Sequence, residues 1–171
     1  MKASGASLVY ESHGEEETEF LADALAAVFQ PGDVISLNGP LGSGKTRLVR
    51  ALADSLGCSR AFVSSPTFGL VQHYEGDWPI VHIDAYRLSG AEEFEQMGGA
   101  ELLDPEGLTL IEWAERIEAA LPSLRWRITA EHLSPSSRRY EISCSFRDAE
   151  ARIAAIVDAV ASAAVEKPVD E

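Results

Sequence analysis

A chain of 171 residues, 46% hydrophobic and 25% charged, has the composition of a globular domain with its own core, and no apolar run approaches the roughly 20 residues that cross a bilayer. The formal net charge of −14 argues against autonomous binding to DNA or RNA, because the domain and a phosphate backbone repel one another. Cys58 and Cys144 have neither CxxC nor His/Cys ligand spacing and read as inert packing thiols; the polar, acidic stretch Met1–Glu19 lacks the basic start and apolar run of a secretory signal, so the expected location is the cytoplasm.

In chain order, Met1–Ala6 reads as a loose segment and Ser7–Ser12 as a short strand. Glu15–Gln30 reads as a helix, with Phe20, Leu21, Ala24, Leu25, Val28 and Phe29 at helical spacing, an acidic first turn and Pro31-Gly32 as its stop. Asp33–Asn38 is an apolar strand, Gly39–Gly44 a glycine-rich loop, and Lys45–Leu56 a helix with Leu48, Val49, Leu52 and Leu56 on one side. Ala61–Ser65, Gly69–Tyr74, Pro79–Asp84 and Leu108–Glu112 have strand character. Ala91–Met97 is a short acidic helix and Trp113–Leu121 the helix after the Leu108–Glu112 strand. Leu124–Thr129 and Arg139–Ser145 alternate apolar and polar residues, as half-buried strands do, and Ala149–Val165 is Ala-rich and helical, followed by a charged tail. This alternation predicts an α/β layered domain of the P-loop NTPase type, with a mostly parallel central sheet and antiparallel edge strands. Residues 1–148 form the domain, and residues 149–171 form a C-terminal helix and tail.

The segment Gly39-Pro-Leu-Gly-Ser-Gly-Lys-Thr46 matches GxxxxGK[ST] in full, and a strand runs into it and a helix out of it. Glycines let backbone N–H groups turn inward around phosphate oxygens, and a helix N-terminus adds partial positive charge. Gly39, Leu41, Gly42, Ser43 and Gly44 are therefore the candidate cradle for ATP or ADP. Lys45 reaches the β and γ phosphates, and Thr46 offers its hydroxyl to Mg²⁺. Arg47, in the first helical turn, either adds positive charge near the phosphates or points to solvent.

Such a cradle needs a carboxylate for Mg²⁺ and a group to position the attacking atom. Asp84 and Glu112 each end an apolar strand, where ligands bind in open α/β sheets, and either can serve the metal directly or through water. His82 alternates with Asp84 and reads as a packing or supporting residue rather than a ligand. Arg87 either touches phosphate or pairs with a carboxylate. Trp113, at a strand-to-helix corner, is either a core residue or a ring flanking the nucleotide or an interface. No NKxD motif follows the loop, which weakens a GTPase reading. The segment Gly90–Gly107 carries acids and no Lys or Arg, which counts against the basic lid of a small-molecule kinase.

Four motifs now stand in order: GPLGSGKT (39–46), SPTFGLVQHY (65–74), HIDAYRL (82–88) and IEWAERI (111–117). As a set they resemble the TsaE (YjeE) family of bacterial ATPases required for threonylcarbamoyladenosine modification of tRNA, over roughly Glu15–Ile142. The resemblance implies that Ser65–Phe68 is a switch-like loop with Thr67 near the γ-phosphate. It also implies that Asp84 is an essential acid, that Glu112 coordinates the metal, and that Trp113 lies beside it. The implied partners are the threonylcarbamoyl transferase subunit and its inactive paralogue (TsaD and TsaB), with tRNA approached only through them and no membrane involved. Two other readings remain at this point, a nucleotide-gated binding module and a small-molecule kinase. Arg47 departs from the small hydroxyl residue common in the family, and the Ala-rich helix after Asp148 lies outside the resemblance.

Overall fold

The computed structural model describes residues 1–4, 6–58, 70–103 and 106–165, and these assemble around one eight-stranded sheet. The elements are β1 (Lys2–Ser4), β2 (Ser7–Ser12), α1 (Glu15–Ala26), β3 (Val34–Asn38), α2 (Lys45–Ser55), β4 (Val71–Glu75), β5 (Pro79–Asp84), α3 (Ala91–Gln96), β6 (Leu108–Glu112), β7 (Trp126–His132), β8 (Arg138–Cys144) and α4 (Ala149–Val165). Short 3-10 turns lie at Ala85–Arg87, Gly99–Leu102 and Ala114–Ala120. The strand order is β1-β2-β8-β7-β3-β6-β5-β4. The four central strands, β7, β3, β6 and β5, are parallel; β8, β2 and β1 extend one side antiparallel and β4 the other. The expected α/β architecture, parallel at its centre and antiparallel at its edges, is the observed one.

Of the central strands, β3, β5 and β6 read as near-continuous apolar runs because both faces are covered, whereas β7 alternates. On one face Ile35, Leu37, Leu108, Leu110 and Trp126 pack against α1, α2 and α4 through Leu21, Leu25, Leu48, Leu52, Ile153 and Ile156. On the other, Val34, Val81, Ile83 and Ile111 meet Phe94, Ile117 and Leu121. Parity along β5 and β6 thus sends His82, Asp84 and Glu112 to the face that carries α2.

The C-terminal helix is seated in the larger core. Arg152 donates from Nη2 to Asp33 Oδ2 at 2.6 Å and to the Val28 carbonyl at 2.8 Å, and its guanidinium lies 5.0 Å from the Trp126 ring centroid. Asp33 also accepts from Trp126 Nε1 at 2.9 Å and from the Gln30 N–H at 3.1 Å. This ties α4 to the start of β3, the strand whose other end carries the glycine loop. No helix among the described residues is long and apolar enough to cross a membrane.

Beyond shifts of one or two residues at element ends, the structure differs from the sequence expectations at four places. Lys2–Ser4 forms a strand on the edge of β2, not a loose segment. Helix α1 stops at Ala26, four residues before Gln30. The segment after β6 is a 3-10 run with a kink at Ile117 rather than an α-helix, and it starts from Trp113 in the left-handed region at φ 57°. Strand β7 begins at Trp126 and runs to His132, beyond the expected Thr129. The expected strand Ala61–Ser65 lies outside the described residues, as does Gly69.

Candidate functional site

The site forms where β3 gives way to α2. Gly39, Gly42 and Gly44 have φ of 129°, 77° and 105°, the left-handed region that side chains disfavour. Gly39 is further constrained by space, since a Cβ there would lie 2.2 Å from the Ala130 carbonyl oxygen on β7. The loop therefore hugs the neighbouring strand while its chain turns back into the first turn of α2. The first turn of a helix leaves N–H groups without intrahelical partners, which is what makes a helix start suited to anions.

Lys45, the first residue of α2, is buried and folded back into this concavity. Its Nζ donates to the Gly39 carbonyl at 2.6 Å and to the Pro40 carbonyl at 2.9 Å, and lies 3.9 Å from the Trp113 ring centroid. Burial lowers its pKa, while the carboxylates of Glu112, Glu115 and Asp84 pull it back up. Among the described residues this buried ammonium is hydrogen-bonded to carbonyl oxygens and set against an aromatic face, and an anionic ligand offers it stronger acceptors.

The two candidate acids stand side by side. Strands β5 and β6 are parallel neighbours with Asp84 in register with Glu112, so both reach the carboxyl end of the sheet together. Both are 2% exposed. Glu112 accepts from the Thr46 hydroxyl, 2.9 Å from each carboxylate oxygen, and from His82 Nε2 at 2.9 Å. Asp84 Oδ1 accepts from the Tyr86 N–H at 2.9 Å. The Trp113 N–H donates to the Leu37 carbonyl at 2.9 Å, which fixes the corner after β6, and the Tyr86 ring lies 4.9 Å from the Trp113 ring.

These groups surround a cleft of about 420 Å³, large enough for a triphosphate and part of its nucleoside. Of the residues singled out in the sequence, Leu41, Gly42, Gly44, Lys45, Thr46, Arg47, Asp84, Glu112 and Trp113 line it. Ser43 is fully buried beneath the loop, and Gly39 forms its base. Arg47 faces two ways: it borders the cleft and also pairs with Glu15 across a second hollow between α1 and α2. Arg87 is exposed on the turn after Asp84. Thr67 and the rest of the SPTF segment lie outside the described residues.

The sequence reading gives Tyr86 no role of its own; it is 45% exposed at the mouth of the cleft, and its place in HIDAYRL, two residues past Asp84, is the available signal. Tyr74, which closes SPTFGLVQHY, reads from sequence as an edge-strand residue or a contact to a base or partner; its hydroxyl instead meets His82 from behind, a contact set by the neighbouring strand.

The donor set suits a hard cation. A hydroxyl and two carboxylates supply only oxygen, and among the described residues no cluster of three or more His, Cys, Asp or Glu side chains could hold a metal unaided. Mg²⁺ is usually held in this way, by one or two carboxylates with ligand phosphates and water completing the shell.

Comparison with known proteins follows the same lines. Residues 12–140 match the family described as threonylcarbamoyl adenosine biosynthesis protein TsaE. A tRNA threonylcarbamoyladenosine biosynthesis protein TsaE from Bacillus subtilis is 38% identical over 139 residues, covering 75% of this chain and 86% of the relative. Proteins of the same name from Treponema pallidum and Rickettsia bellii are 32% and 37% identical, each over 77% of this chain and 97% and 91% of their own lengths. The crystal structure of Bacillus subtilis YdiB superposes with a TM-score of 0.73 at 27% identity, covering 92% of this chain and 98% of that one.

Proposed function

This chain belongs to the TsaE family, and from that premise we propose that it is an ATP-binding and ATP-hydrolysing accessory protein of tRNA threonylcarbamoyladenosine modification. The observation that carries the reading is one cleft in which Lys45 and Thr46, from the glycine loop, meet Asp84 and Glu112, from two neighbouring strands.

The chemistry then divides among the residues. Backbone N–H groups of the loop and the first turn of α2 bind the phosphates, and Lys45 leaves the Gly39 and Pro40 carbonyls to neutralise the β and γ oxygens. Thr46 and Glu112, with Asp84 alongside, would hold Mg²⁺, which would supply positive charge against the negative charge that develops on the phosphates. Asp84, aimed by the Tyr86 N–H, orients the attacking water. Trp113 and Tyr86 wall the mouth and limit bulk water around the phosphates. Thr67 enters as a γ-phosphate contact on the strength of the family motif.

The proposed partners are the threonylcarbamoyl transferase subunit and its inactive paralogue, TsaD and TsaB. A net charge of −14 favours a protein that meets tRNA through such partners rather than by itself. The lack of Lys and Arg in Gly90–Gly107 leaves no phosphate clamp there for transfer to a small molecule.

The test uses Asp84→Ala in a reconstituted transferase reaction. The variant is expected to bind ATP, lose hydrolysis, and support little turnover beyond the first. Full multiple turnover by a variant that binds but does not hydrolyse would replace this reading with that of a nucleotide-gated binding module.

A further inference from the structure

Behind the cleft, a line of polar side chains crosses three strands. Tyr74 on β4, His82 on β5 and Glu112 on β6 lie on the same face of the sheet, each offset by two residues from its neighbour's register partner, and the line ends at Thr46 on α2. The Tyr74 hydroxyl lies 3.1 Å from His82 Nδ1, and His82 Nε2 lies 2.9 Å from Glu112 Oε1. The Tyr74 hydroxyl donates to Gln72 Oε1. His82 is 0% exposed and does not border the cleft.

A carboxylate only accepts, so the imidazole donates a hydrogen bond from Nε2 to Glu112, and Nδ1 faces the Tyr74 hydroxyl. This contact does more than satisfy buried atoms. The terminal torsion of a glutamate is broad and roughly two-fold, so packing alone leaves its carboxylate free to rotate. Here Oε1 is tied from behind by an imidazole whose Nδ1 lies against the Tyr74 hydroxyl, while Thr46 contacts both oxygens from the cleft side.

We propose that His82, held by Tyr74, is a positioning residue that fixes the Glu112 carboxylate for the cation accompanying the triphosphate. The inference rests on the ATP–Mg²⁺ reading of the cleft and extends it to residues that touch neither ligand. Partners of this kind, hydrogen-bonded to a metal-ligating group, commonly change metal affinity by about tenfold to a hundredfold when removed.

The experiment is calorimetric binding of a non-hydrolysable ATP analogue by the full chain, across a Mg²⁺ titration and in its absence. His82→Leu keeps the volume and removes the donor. It is expected to raise the Mg²⁺ midpoint about tenfold to a hundredfold and leave the Mg²⁺-free affinity unchanged. His82→Gln, which restores a donor, recovers part of the shift, and Tyr74→Phe shows a smaller shift in the same direction. A purely structural role predicts a lower melting temperature with the Mg²⁺ midpoint unmoved, and that result in folded His82→Leu overturns the proposal. Should His82→Leu fail to fold, Tyr74→Phe decides between the same two outcomes. Glu112→Ala separates the failures. A midpoint moved by Glu112→Ala but not by the His82 and Tyr74 variants rejects this inference alone. A wild-type chain whose binding ignores Mg²⁺ rejects it together with the reading beneath it.

Discussion

Thr46 and Glu112, 66 positions apart in the chain, share a bifurcated hydrogen bond in which one hydroxyl lies 2.9 Å from both carboxylate oxygens. One residue lies in the first turn of α2 and the other closes β6, so the contact joins the glycine loop to the acid-bearing end of the sheet. Glu112→Ala removes the acid end of this contact and leaves the loop in place. ATP binding should then persist while its dependence on Mg²⁺ weakens. A Mg²⁺ titration indistinguishable from wild type would mean that Asp84 or water suffices.

Lys45 contacts Gly39, Pro40 and Trp113, and under the proposed function it exchanges these contacts for the phosphates. Hydrogen bonds to charged groups are each worth about 1.5–3 kcal/mol, so Lys45→Ala should weaken triphosphate binding about tenfold to more than a hundredfold. Calorimetry of ATP binding checks this, and near-normal affinity contradicts it.

At Gly39 the loop is pressed against β7, with the Ala130 carbonyl oxygen 2.2 Å from where a Cβ would stand. Gly39→Ala must displace either the loop or the strand. The expected cost is about 1–3 kcal/mol of stability, read from the urea midpoint, with weakened ATP binding alongside. A variant with both properties intact would show that the loop has slack this geometry does not contain.

Legibility from sequence followed range. Strands β5 and β6 match their sequence-derived bounds at both ends, because each is an apolar run closed by an acid. The glycine loop was equally plain, since each of its residue types answers a local demand on the backbone. The expectation failed where a neighbour decided the outcome. Lys2–Ser4 is a strand only because β2 offers an edge, and three residues carry no period of their own. Trp113–Leu121 has helical spacing, yet the bond from the Trp113 N–H to the Leu37 carbonyl turns the chain at φ 57° and leaves a 3-10 run. The parity of His82 and Asp84 could be read from the strand. The contact between His82 and Glu112 could not, because it depends on β5 and β6 being neighbours.

Helix α4 illustrates the same limit, and its anchor can be tested. Arg152 and Asp33 are each 7% exposed at the side chain and 2.6 Å apart. Removing one partner of a buried pair strands the other, so Arg152→Ala should cost about 3–5 kcal/mol in chemical denaturation. Because the anchor sits at the opposite end of β3 from the loop, ATP affinity of the folded variant should hold. A loss below about 1 kcal/mol would show that α4 is held by its apolar face alone.

Alkaline pH reaches the molecule through its buried phenols. Burial, with smaller contributions from Glu17 and Tyr140, pushes the Tyr10 hydroxyl from 10.0 to about 12. The folded chain keeps a proton that the unfolded chain releases first. The stabilisation is therefore complete below pH 10 and is lost as pH rises toward 12. Burial shifts Tyr140 in the same direction. The urea midpoint should fall across this window, and less steeply in Tyr10→Phe. An unchanged slope in that variant would remove Tyr10 from the account.

The most direct test of the central claim is multiple-turnover threonylcarbamoylation of tRNA by the transferase and its paralogue under ATP, with and without this chain. The account predicts turnover that depends on the chain and is abolished by Lys45→Ala. Turnover indifferent to the chain would contradict the tRNA-modification role and leave an ATP site in search of another partner.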